Sequence, residues 1–142
     1  MNEKERAAVK ELKNYKGYKV KIANLQERIR ALNEISNQGI SYDGIRVDSG
    51  FRNNIENNLI TRIDKVEELE RTLKITQANV AIIERALDNL TEDEIKVLTV
   101  MYIDRQYCAY DKLAAELNTG RSNVYKIQAA ALKAFANMIS IG

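Results

Sequence analysis

The sequence predicts an all-α protein: a long antiparallel, coiled-coil-like helical hairpin over residues 1–89, followed by a smaller domain of short helices over residues 90–142. Three observations lead there. The 142 residues contain no proline and only six glycines, so the chain has few obligatory breaks. Two long stretches repeat apolar side chains at steps of three and four, the period of one helix face. The last third changes to shorter apolar-periodic runs divided by turn-forming residues. Hydrophobic residues make up 45% of the chain and charged residues 30%, enough for both a core and a solvated surface.

The first helix is expected from about Asn2 to Ser36, with Leu12, Tyr15, Tyr18, Ile22, Leu25, Ile29 and Leu32 along its seam. At 1.5 Å per residue it would be roughly 50 Å long. Gly17 falls inside it and marks a weak point near Tyr15 and Tyr18. Lys10, Lys13, Lys16, Lys19 and Lys21 read most simply as a solvated face, with contact to a nucleic-acid backbone as the sharper alternative. Asn37 to Phe51 reads as a loop punctuated by Gly39, Gly44 and Gly50, in which Asp43-Gly44 suits a tight turn. Loops of this length are often functional. The second helix is expected from about Arg52 to Asn89, on a stripe of Ile55, Leu59, Ile63, Val66, Leu69, Leu73, Val80, Ile83 and Leu87. Both stripes need a partner. A hairpin closed by the 37–51 loop supplies one, and pairing with a second copy of the chain, giving a homodimer, supplies another.

Composition narrows the function. Histidine is absent, which removes the commonest general base, the Ser-His and Cys-His nucleophile pairs and most zinc sites. No carboxylate constellation replaces it, so the reading is of a protein that is not an enzyme and has no catalytic residue, metal or cofactor. Cys108 stands alone and cannot form an internal disulfide. No stretch is apolar enough for a signal peptide or a membrane span, which places the chain in the cytoplasm, away from membranes. The net charge is +2, but residues 1–36 carry nine Lys/Arg against five Asp/Glu, and residues 37–90 carry seven against nine. Beyond Glu116 there are no acids, only Arg121, Lys126 and Lys133, which suits an anionic partner such as a phosphate backbone.

The last domain opens on Leu90-Thr91-Glu92-Asp93-Glu94. Thr91 and Glu94 have capping-box spacing, each able to bond the other's free amide. Ile95, Leu98 and Tyr102, with Val97 or Met101, are the expected core of the helix that follows. After a break around Asp104 to Ala109, a short helix from Tyr110 to Leu117 would bury Leu113, Ala114 and Leu117. Asn118-Thr119-Gly120 is a turn in which Asn and Gly tolerate left-handed backbone. The final helix starts near Arg121 and would bury Val124, Ile127, Ala131, Leu132 and Phe135. Arg121, Ser122, Asn123, Tyr125 and Lys126 then point outward. Two crossed short helices with that outward set suit a helix-turn-helix. In such a motif Arg grips guanine, Asn grips adenine, and Ser, Tyr and Lys reach phosphate or base.

Leu90-Thr91-Glu92, Val97-Leu98, Tyr102-Ile103, Tyr110-x-x-Leu113-Ala114-x-x-Leu117, Arg121-x-x-Val124 and Ala131-Leu132 together resemble region 4 of bacterial sigma factors. Gly120 stands where that family often has a capping Ser, and the connection from Tyr102 to Ala114 is about two residues longer than usual. The whole chain has two long helices, a loop with Tyr42-Asp43-Gly44 and Ser49-Gly50, and the sigma-like end. It is similar to the late-gene transcriptional activators of phages and prophages of Gram-positive bacteria, the autolysin-regulator (ArpU/RinA-like) group. Relatives often carry a proline in the loop, where this chain has Ile45-Arg46. The resemblance implies a nucleoid-associated activator that binds promoter DNA beside RNA polymerase. Two other classes remain open on the same residues: a small terminase subunit recognising packaging DNA, and a protein that holds RNA polymerase or a sigma factor without binding DNA. A large ring in solution would favour the terminase; retained polymerase binding without DNA binding would favour the last.

Overall fold

The computed structural model describes residues 1–37 and 49–140, with side chains for residues 1–35 and 59–140. The 37–51 loop and its expected turn at Asp43-Gly44 lie outside the described residues, except where its two ends belong to helices. Every element among the described residues is helical: α1 (Glu3–Asn37), α2 (Ser49–Asp88), α3 (Glu92–Leu98), α4 (Ala109–Glu116) and α5 (Arg121–Ile139). The chain leaves α3 through a wider π-helical turn at Thr99–Ile103. α1 runs without interruption through Gly17, so that residue does not break it. No helix among the described residues is long and apolar enough to cross a membrane.

The chain forms two compact units, one of residues 20–77 and one that joins residues 1–19 to residues 78–142. In the 20–77 unit Leu25 and Leu69 are buried, as the stripes predict, and Thr76 is buried with them. Thr76 fills the gap in the α2 stripe between Leu73 and Val80. Its hydroxyl donates to the Thr72 carbonyl at 2.8 Å, so the buried hydroxyl has a partner. Leu59 and Ile63 depart from expectation: they are 44% and 49% exposed. The α2 stripe therefore extends beyond the surface that one chain buries there.

The second unit has two cores. Ala8 and Leu12 of α1, Ile83, Ala86 and Leu87 of α2, Leu98 of α3, and Ala131, Leu132, Phe135 and Ala136 of α5 form the first. Val97, Val100, Met101, Ala109, Leu113 and Val124 form the second, with Ala114, Leu117 and Ile127 packed at its edge. α3 and its π turn face both cores. That is why Val97, Leu98, Val100 and Met101 are all buried, while Ile95 and Tyr102 are only half-buried. A single-stripe reading could not anticipate burial on two sides. The helix begins as its sequence indicates: the Glu94 amide donates to Thr91 Oγ1 and the Thr91 amide donates to Glu94 Oε1, both at 3.2 Å.

Candidate nucleic-acid interface

α4 and α5 are joined by Leu117–Gly120, and α5 packs against both α3 and α4. Asn118 takes left-handed backbone at φ 51°, which Asn accepts at low cost. Gly120 does not: it is extended at φ −83°, ψ 162°, and serves as the N-cap of α5 without a side-chain cap bond. Residues 113 and 124 are fully buried between the two helices and fix their crossing.

That crossing turns the first two turns of α5 outward. Arg121, Ser122, Asn123, Tyr125 and Lys126 are all exposed, whereas Val124 between them is buried. At about 100° per residue, residues 121, 122, 125 and 126 share an arc of about 140°, and Asn123 lies about 60° to one side. All five residues singled out by the sequence thus stand at one helix end.

Three of the five are braced from α4 or the turn. Arg121 Nε lies 3.3 Å from Asp111 Oδ1, both side chains being about 60% exposed. Asn123 Nδ2 donates to Thr119 Oγ1 at 3.0 Å. The Tyr125 ring stacks on Tyr110, with centroids 4.2 Å apart and planes at 28°. Tyr110 is itself held. Its hydroxyl donates to Gln128 Oε1 at 2.7 Å, and Gln128 Nε2 donates to the Tyr102 hydroxyl at 2.6 Å. Burial pushes the Tyr110 phenol above its ordinary pKa. A neutral hydrogen-bonded chain thus runs from the π turn through α5 to α4, under the exposed face.

Charges at this face divide between ion pairs and unpaired cations. Three of the acids near this face stand in exposed ion pairs: Asp104 with Lys16 at 2.9 Å, Glu116 with Lys96 at 3.0 Å, and Asp111 with Arg121. Arg105, Lys112, Lys126 and Lys133 are in none of the ion pairs among the described residues. The other acids of residues 91–142, Glu92, Asp93 and Glu94, sit in the first turn of α3. Of the N-terminal lysines, Lys16 pairs with Asp104, and the Lys19 ammonium stands 5.1 Å from the centre of the Tyr15 ring. The remaining lysines of that face are exposed.

The sequence reading passed over residues 105–107. A groove of about 380 Å³ runs between this segment and the starts of α4 and α5, and Arg105, Gln106, Tyr107, Asp111 and Arg121 line it. Tyr107 is 88% exposed, unusual for so large an aromatic side chain. The signal available was the longer connection before α4, which carries an arginine and a tyrosine where a minimal linker needs neither. Among the described residues no group of His, Cys, Asp and Glu could hold a metal ion. No family model, curated protein or solved structure matches the chain.

Proposed function

We propose that this chain is a sequence-specific regulator of transcription that binds double-stranded promoter DNA. In this reading α4, the turn and α5 act as a helix-turn-helix, with the start of α5 in the major groove. The observation that carries it is the composition of that helix end: Arg121, Ser122, Asn123, Tyr125 and Lys126 exposed together, beside acids that stand in ion pairs with neighbouring cations. A helix about 10–12 Å across fits a major groove about 12 Å wide. Arg121 and Asn123 would read base edges. Ser122, Tyr125 and Lys126 would grip phosphates or adjoining bases.

The long helices would form the antiparallel hairpin through which two copies dimerise, and would offer a surface to RNA polymerase. The exposed Leu59 and Ile63 favour such pairing, because an apolar stripe left open gains by being covered. With the resemblance to sigma region 4 and to the autolysin-regulator group, this suggests an activator of phage or prophage late genes, working on the nucleoid in the bacterial cytoplasm.

The test is selection of bound duplexes from a random library by the full chain, followed by titration of the recovered duplex. Arg121→Ala and Asn123→Ala are each expected to cost about 1–3 kcal/mol and to relax the preference at one base position. Lys126→Ala should weaken all sequences alike and reduce the salt dependence by about one phosphate contact. Recovery of no preferred sequence, with no salt-dependent binding, would sink the reading.

A further inference from the structure

Arg121 and Asp111 are ten positions apart, on different helices, and meet across the turn at 3.3 Å. The contact adds little to stability, because both side chains are about 60% exposed and water screens ion pairs of that kind. Its geometry is more informative. The nearest approach is of Asp111 Oδ1 to Nε, the inner nitrogen of the guanidinium, an ion pair with no hydrogen bond. An arginine reads guanine when two parallel N–H groups meet O6 and N7 together. A carboxylate beside the Nε edge would draw the guanidinium toward α4 and leave its terminal fork available to a base. Without it, the long side chain would have to lose more of its freedom at binding.

We infer that Asp111 is a positioning residue that makes Arg121 selective for guanine. The inference rests on the DNA-binding reading above and deepens it, naming the base that the site recognises. Asp111 also places a negative charge beside the proposed phosphate path, so it lowers affinity for every sequence while raising discrimination at one position. Asn123 is braced in the same manner by Thr119, whose hydroxyl takes one amide hydrogen and leaves the other, with the carbonyl oxygen, for a base edge.

The experiment uses the full chain and a random 30-base-pair duplex library, about three turns of DNA, enough for one helix-turn-helix dimer site. Wild type is expected to enrich duplexes with a fixed guanine whose preference disappears in Arg121→Lys, which keeps the charge and loses the fork. In Asp111→Asn, affinity for random duplexes should rise several-fold, while discrimination against the wrong base at that position, roughly 5–150-fold in wild type, should fall to a few-fold. Charge removal alone would raise all affinities by one factor and leave that ratio unchanged, so the ratio isolates positioning. Asp111→Ser, a residue equally suited to a first helical turn, provides the same comparison should the Asn variant fold poorly.

Adding either Asp111 substitution to Arg121→Lys should change the ratio no further. Full guanine discrimination in both Asp111 variants, or an additive loss in the Arg121→Lys background, would overturn the positioning role while leaving DNA binding intact. If wild type enriches no sequence, the DNA-binding reading falls and the inference falls with it.

Discussion

Leu12 is the most telling single residue for the architecture. It lies in α1, more than a hundred positions before Phe135, yet both are fully buried in one core with Leu98 and Ile83. Replacing it with Ala removes three carbons from a site with no solvent access, and tight packing limits how far the neighbours can collapse. Transfer and cavity terms together put the loss at about 3–5 kcal/mol. Against the 5–15 kcal/mol typical of a domain, that is a large fraction. For a unit of roughly 80 residues, at about 4–8 °C per kcal/mol, the melting midpoint should fall by about 12 °C or more. The assay is thermal unfolding followed by far- and near-ultraviolet circular dichroism, the latter reporting tyrosines of which Tyr102 and Tyr110 are joined through Gln128. Val20→Ala, at a position 60% exposed, is the control and should move the midpoint little. A Leu12→Ala protein melting within about 3 °C of wild type would refute the shared core. The same reasoning predicts that residues 90–142 alone are poorly folded, since five of the ten buried members of that core come from residues 8–87.

Other expectations follow from the caps and the tyrosines. Gly120→Ser should stabilise by about 0.5–1 kcal/mol, because φ −83° suits any residue, the space around a new Cβ is open, and the hydroxyl can cap α5; a lower melting midpoint would contradict this. Thr91→Ala should cost about 1 kcal/mol by removing one arm of the capping box, read by denaturant titration. The folded-state pKa of Tyr110 lies above its ordinary value of 10.0, chiefly through burial. Its contribution is therefore complete below pH 10 and is lost as the pH climbs through the folded value. Tyr15 and Tyr18, raised by burial and by bonds to Glu84 and Glu11, act in the same sense. The melting midpoint should decline above about pH 10, and Tyr110→Phe should decline less steeply; identical slopes would remove Tyr110 from the account.

Periodicity and local chemistry carried much of this fold into view. The apolar spacing located both long helices, the Thr91 and Glu94 spacing located the start of α3, and the outward set at the start of α5 could be read from helical register alone. What lay hidden depends on tertiary partners. Nothing near Asp111 in the sequence announces Arg121 as its mate, because the pairing needs the turn at Asn118 to fold first. Burial of α3 on two sides follows from packing against α1, α2, α4 and α5 together, a number of neighbours that one stripe cannot encode. Cys108, with left-handed backbone at φ 54°, starts α4 without the Ser, Thr or Asp that usually marks such a position, so the helix boundary had no local signal.

α5 joins the two lines of reasoning and also separates them. Its 19 residues span about 28 Å, with the exposed polar face at one end and the residues that anchor it, Ala131 to Ala136, toward the other. Arg121 and Phe135 are about 21 Å apart along the axis, beyond the range at which substitutions usually couple. Leu12→Ala should then lower stability without altering base preference among the molecules that remain folded, and Asp111→Asn should alter base preference at a stability change of about 1 kcal/mol or less. Combined, the two effects should add within about 0.5 kcal/mol. A large coupling would mean that the core sets the orientation of the start of α5 directly, and that Asp111 is not the residue that holds Arg121 in place.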